Sequence, residues 1–142
     1  MKALLAFDGS DYAERASRCL IRMMKENPAL DATVISVAEL DENLVNLLPQ
    51  GKVLADIQEV CNLRAAGMVE KAVSLFKEAG LDVVPVVRQG DPSRVIAEFA
   101  AREKFELIVM GKHGMNDFKG ILIGRVTRQV VSLSECPVMI VK

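Results

Sequence analysis

The chain has no tryptophan, one tyrosine and one histidine among 142 residues, and aromatics make up only 4% of it. So few rings exclude the stacking platforms that read single-stranded nucleic acid. They also leave a core that must be built from Val, Ile, Leu, Met and Ala. Eighteen basic side chains against nineteen acidic ones give a net charge of −1, so no basic stripe is available to meet a phosphate backbone. No apolar run approaches the roughly 20 residues of a membrane-spanning helix, and the apolar start at residues 1–7 is too short for a signal peptide. These absences point to a cytoplasmic protein with neither nucleic acid nor membrane as a partner. Cys19, Cys61 and Cys136 are odd in number and far apart, with no CxxC pair and no neighbouring His. They read as reduced, structural thiols, not as a disulfide frame or a metal site.

What is present is an alternation of short β-branched runs and amphipathic stretches. Residues 3–7 form an apolar run ended by Asp8-Gly9-Ser10, and Ser10 is placed to cap a helix marked by Tyr12, Ala16, Cys19, Leu20 and Met23. Asn27-Pro28 stops that helix. Residues 32–37 predict a second strand. Residues 39–52 predict a loop with one short helical turn. A long helix follows, with Ile57, Cys61, Ala65, Met68, Ala72, Leu75 and Phe76 on one face, and Gly80 stands where its C-terminal cap belongs. Residues 83–87 predict a third strand, and Pro85 assigns it to a sheet edge. Asp91-Pro92 opens the next helix, with Val95, Ile96, Phe99 and Ala100 inward. Leu107 to Met110 predicts a strand buried on both faces, Val126, Val130, Val131 and Leu133 the last helix, and residues 137–141 the last strand. Strands separated by helices imply a parallel sheet with right-handed crossovers, in one domain over residues 1–142.

In an open parallel sheet, ligands bind beyond the carboxyl ends of the strands. The segments arriving there are Asp8-Gly9-Ser10, Val37-Ala38-Glu39, Arg88-Gln89-Gly90 and the stretch from Gly111. The last carries Gly111-Lys112-His113-Gly114, nine residues, then Gly124-Arg125-Val126-Thr127 opening a helix. Glycines let backbone N–H groups approach a phosphate, and a helix start adds free donors and positive dipole.

This spacing resembles that of the universal stress proteins that bind ATP, in which Gly, two residues, Gly, nine residues and Gly precede Ser or Thr. The likeness extends to Asp8-Gly9-Ser10, Val37 and the terminal Cys136-Pro137-Val138-Met139-Ile140-Val141, and covers essentially the whole chain. The resemblance implies an open five-stranded α/β sheet of order 3-2-1-4-5, Rossmann-like, with helices on both faces. It implies an adenine nucleotide as ligand, ATP or AMP, with Mg possible alongside ATP. Asp8 and the backbone near Val37 would face adenine, and Met110 and Gly111 would underlie the adenosine. Gly114, Gly124, Val126 and Thr127 would cradle phosphate, and His113 could touch it. A homodimer through residues 137–141, a bare apolar edge, is implied as well.

Arg125 departs from this pattern, standing where the family has a small hydroxyl. A cation in the first turn of a helix is disfavoured by roughly 0.3–1 kcal/mol, so an anion should lie nearby. Either the guanidinium clamps phosphate, or it folds inward onto Asp8, Asp11 or Asp91 and closes the pocket. Plainer readings stand beside the sharp ones. Gly111 and Gly114 could be only a tight turn, Asp8 a helix cap, Thr127 a local hydrogen bond and His113 a solvated loop residue. Lys112, Lys119 and Arg128 read as surface charges, and Met23, Met24, Met68 and Met110 as core filler. No nucleophile–base pair emerges from the spacing and no P-loop is present, so the expectation is not an enzyme. Three hypotheses follow: a nucleotide-responsive regulatory module with an unknown protein partner, a dimeric interaction module with a closed pocket, or a slow nucleotide hydrolase. A phosphoacceptor domain fits poorly, since the third strand leads into Arg88-Gln89-Gly90 and not an aspartate.

Overall fold

The structure, a computed structural model, describes residues 1–115, 120 and 122–142, and of residue 42 the backbone only. The chain runs β1 (Lys2–Ala6), α1 (Asp11–Glu26), β2 (Asp31–Glu39), α2 (Glu42–Leu47), α3 (Lys52–Glu78), β3 (Val84–Gly90), α4 (Pro92–Arg102), β4 (Leu107–Gly111), α5 (Arg125–Leu133) and β5 (Val138–Val141). The strands form one sheet, ordered β3-β2-β1-β4-β5, and every pairing is parallel. That is the order the resemblance implies, and Pro85 does sit in an outermost strand.

Local chemistry sets the helix ends. Ser10 Oγ accepts the N–H of Ala13 at 3.1 Å, and Asp91 Oδ1 that of Arg94 at 3.1 Å, with Pro92 at the first helical turn. The Asn27 N–H reaches back to Met23 and ends α1. After α3, Gly80 takes φ +77, so that the N–H groups of Gly80 and Leu81 return to Lys77 and Phe76.

Side chains alternate across each strand, which divides the core in two. Ala3, Leu5 and Phe7 of the first strand segment join Ala32, Val34, Leu107 and Val109 beneath α1 and α3. Leu4, Ala6, Ile35, Ile108 and Met110 face the opposite way, beneath α4 and α5. Leu4, Leu5, Leu20, Ile35 and Ile108 are fully buried; each contributes about 1.5–3 kcal/mol relative to exposure. β4 is buried along its whole length, as its unbroken apolarity predicts.

Four expectations need correction. β2 continues to Glu39, two residues past Val37. β3 continues to Gly90, so Arg88 and Gln89 are paired strand residues and do not lie beyond the strand end. Val131 and Leu133 are exposed: Val131 is about 100° round the helix from buried Val130, and Leu133 is the last residue of α5. Of the long helix, Ala65, Ala72 and Phe76 are buried as expected, but Ile57 and Cys61 only partly. All three cysteines are free and half-buried.

Gly111 shows how tightly α1 seats on the sheet. It has the parity of Val109, so a side chain there would point at α1. A Cβ at 111 would stand 2.6 Å from Tyr12 Cβ and 2.7 Å from the Tyr12 carbonyl carbon. The neighbour is largely backbone and has little freedom to yield. Gly111→Ala is therefore expected to cost about 1–3 kcal/mol by overpacking, read as a lowered urea midpoint. Tyr12→Ala should not rescue it, because the clashing Cβ and backbone remain. An unchanged midpoint in Gly111→Ala would remove this account of the helix–sheet contact.

Candidate functional site

The carboxyl ends of β1, β2 and β4 meet the mouth of α5. Ile35 and Val37 lie on the face covered by α4 and α5, and Glu39 shares their parity. Its carboxylate therefore leaves β2 on the side of α5. Met110 points to that side too and is buried. Gly124 caps α5 with no side chain of its own, and no side-chain hydrogen bond closes the helix start. The N–H groups of Arg125, Val126 and Thr127, in the first turn, have no partner within the helix. A buried glycine ahead of uncapped amides is suited to an anion.

Asp8 does not cap α1; Ser10 does. Asp8 Oδ1 accepts the N–H of Ser10 at 3.0 Å, and Oδ2 accepts the N–H of Met115 at 3.1 Å. One carboxylate thus ties the turn after β1 to the stretch after β4. The main chain of that stretch is fastened again where the Gly124 N–H donates to the Lys112 carbonyl at 2.7 Å. Thr127 bonds across the structure, donating to the Gly111 carbonyl at 2.9 Å while 2% exposed. Its hydroxyl is neither locally bonded nor presented to a ligand.

His113 is not a solvated loop residue. It is 9% exposed and its ring stacks on Tyr12 of α1 with centroids 5.0 Å apart. This ring is directed to the α1 side of the sheet, opposite the face on which α5 lies. Its Nε2 is buried and, among the described residues, has no hydrogen-bond partner. Lys112 and Arg15 both place their cations over the Tyr12 ring, at 5.4 and 4.8 Å, so Lys112 is more than a surface charge. Gly114 is half-buried beside His113, and Arg128 is exposed as expected. Lys119 lies outside the described residues.

Arg125 points outward, 53% exposed, and its guanidinium reaches Glu39 Oε1 at 3.3 Å. It pairs with neither Asp8 nor Asp11 nor Asp91, the acids named from the sequence, although its charge is felt at Asp91. Ser93 and Gln129 complete the cluster: Ser93 Oγ lies 2.7 Å from both Asp91 Oδ1 and Gln129 Oε1, and an Arg125 nitrogen lies 3.5 Å from the latter. A hydroxyl has one proton to give. The carboxylate is the stronger acceptor, so Gln129 is best satisfied by turning its amide and donating to Ser93 Oγ. Among the described residues, Arg125 is then held by Glu39 alone. The hydrogen bond from Ser93 first, then the Arg94 N–H, holds the Asp91 carboxyl below its ordinary range.

The structure thus brings Asp8, Val37, Met110, Gly111, Gly124, Arg125, Val126 and Thr127 to one edge of the sheet, and turns the ring of His113 away from it. Sequence reasoning missed Glu39 as the partner of Arg125. The signal was its parity with Val37, visible only once β2 is known to continue that far. Beside this edge, Leu40, Val45, Asn46, Gln89 and Gly90 line an open hollow of about 330 Å³, so α2 borders the ends of β2 and β3. Among the described residues no group of His, Cys, Asp and Glu could hold a metal ion.

The Universal stress protein family model matches residues 1–142. The chain is 30% identical over 141 residues to universal stress protein MJ0531 of Methanocaldococcus jannaschii, covering 99% of this chain and 81% of that one. The solved structure of the M. jannaschii protein MJ0577 superposes with a TM-score of 0.84 at 26% identity, covering 99% and 94% of the two chains. A universal stress protein from Archaeoglobus fulgidus, in complex with dAMP, superposes at 0.70 with 23% identity, covering 100% and 98%. Two further neighbours, 23% and 18% identical, were solved with cAMP and with AMP. The three nucleotide-bound neighbours are alike to this chain in fold alone.

The lowered Asp91 carboxyl has a consequence for stability in acid. A carboxyl below its ordinary value of 3.8 stabilises the fold fully above that pH, and the contribution is lost as pH falls through the folded value. Asp91→Asn keeps a capping oxygen but cannot titrate. Between pH 7 and pH 3 the wild-type urea midpoint is expected to fall further than that of the variant. Equal falls in the two proteins would show that Asp91 carries no such linkage.

Proposed function

Because the chain belongs to the universal stress protein family, we propose that it is a cytoplasmic regulatory module that binds an adenine nucleotide at the mouth of α5. We take the ligand to be AMP, or ATP with its metal, and its effect to be on contacts with a protein partner rather than on chemistry. The reading rests on one observation: Arg125 is swung out to Glu39, leaving the uncapped amides of α5 free of its side chain. An arginine held this way needs only to exchange one anion for another. A phosphate at Gly124 would take over the guanidinium from Glu39 in a two-pronged contact. A single phosphate completes that exchange, so we take AMP as the preferred ligand over ATP. The nucleotide-bound neighbours carry single phosphates, in keeping with this preference.

The competing reading is an interaction module that binds no nucleotide. It is favoured by the same ion pair, since Glu39 already neutralises Arg125. Calorimetric titration of AMP and ATP into ligand-free protein separates the two. The expected result is AMP binding that Arg125→Ser weakens by roughly 10-fold or more, the scale of a lost charge-assisted hydrogen bond, and that Glu39→Gln strengthens. Tighter binding in Arg125→Ser would make arginine an obstruction and not a clamp. No heat with either nucleotide would leave the interaction module standing.

We also propose pairing of two copies through β5, the outer strand whose residues are only half-buried. Light scattering at micromolar concentration should then give at least a dimer, and a stable monomer would end that proposal.

A further inference from the structure

Helix α3 has an unpartnered half. From Lys52 to Arg64 it buries no residue, and the buried positions begin at Ala65 and continue at Val69, Ala72 and Phe76. That first half is about 20 Å long. It is not polar, as a solvated helix face would be. Val53, Val60 and Leu63 are 58%, 65% and 66% exposed.

These residues share one face. Val53, Val60 and Gly67 follow at intervals of seven, so they drift by only about 20° from one to the next. Leu63 lies beside them, and Val69, which faces the sheet, is about 180° round from Val60. The stripe therefore points directly away from the domain. Gly67 adds an unexplained feature. It lies within a helix, where glycine costs roughly 0.5–1 kcal/mol relative to alanine, yet a Cβ there would meet nothing within 4 Å. No contact among the described residues requires it.

The charges beside the stripe indicate what covers it. Asp56 and Arg64 flank Val60, each four residues away and about 40° to either side. Both are exposed, and among the described residues neither has an ion-pair partner. If a second α3 is laid antiparallel with Val60 against Val60, residue 60 + n meets residue 60 − n. Asp56 then comes level with Arg64 of the other copy, and Arg64 with its Asp56. Val53 comes level with Gly67, where the missing side chain lets the two backbones approach. The pattern is complementary to itself, as a twofold contact demands.

We propose that this face of α3 docks against the same face of a second copy, antiparallel, about a twofold axis beside Val60. The contact is separate from β5, since α3 packs on the side of β2 and β3 and β5 is the strand at the far edge. It does not depend on nucleotide binding. Its signature is a charge exchange. Asp56→Arg alone and Arg64→Asp alone each set like charges against each other, and each is expected to halve the mass measured by light scattering. The double variant D56R/R64D restores opposite charges and should restore the wild-type mass. The positions are exposed, and far-ultraviolet circular dichroism should be the same in all four proteins. Halving to dimers would leave β5 pairing in place, whereas halving to monomers would make α3 the sole contact. Masses indifferent to the single changes would overturn the proposal and leave the face to some other partner. So would single variants that fall without recovery in the double. Independently, Val60→Cys in a chain with Cys61→Ser should form a disulfide between copies on mild oxidation, with Cys61→Ser alone as control. A non-reducing gel showing no more linked dimer than the control would likewise overturn it.

Discussion

Side chains alternate along a strand, and in a sheet covered on both faces that alternation decides which helix each residue meets. At the carboxyl ends of β2 and β4 it sorts a small group of residues with large consequences. Even-numbered β4 positions place Met110 toward α5, while Gly111, one step on, turns toward α1 and must be glycine because Tyr12 occupies the space. On β2, Val37 and Glu39 share the α5 side. The acid that holds Arg125 is there because the strand is two residues longer than its apolar run.

The electrostatics of the edge follow from that placement. Arg125 stands at a helix start whose amides already carry positive dipole, so the site has more cationic character than it has anion to balance it. Glu39 supplies a balancing charge from a different element, in a direct contact at the exposed surface. A pair half open to water contributes little to stability, about 0–1 kcal/mol, so the two groups part readily. A strong buried pair would instead hold the arginine against any competitor. Asp91 is bonded within its own helix start by Ser93 and Arg94, and it steadies α4 beside the edge without taking the guanidinium.

Much of this was legible in the residues. Caps at Ser10 and Asp91, the stop at Asn27, the proline in β3 and the unbroken apolarity of β4 each state a local rule, and each held. The glycine spacing pointed to the sheet edge where the candidate site lies. What could not be read were contacts between distant elements. Nothing near Thr127 says that its hydroxyl will meet Gly111, and nothing near His113 says that its ring will stack on Tyr12. The acid for Arg125 was misassigned for a related reason: Asp8, Asp11 and Asp91 stand at turns, where a ligand edge draws the eye, and Glu39 was counted as the first residue of a loop. The last turn of α5 was also misread, since apolar character alone does not say how far a short helix is covered.

Asp8 accepts one backbone N–H with each of its oxygens, from Ser10 and from Met115. Each oxygen keeps a second lone pair, so a donor arriving from outside would add a bond and leave both existing ones in place. Asp8 therefore works as a fixed corner post: the turn after β1 and the start of the stretch after β4 stay fastened to it whether or not anything docks beside them.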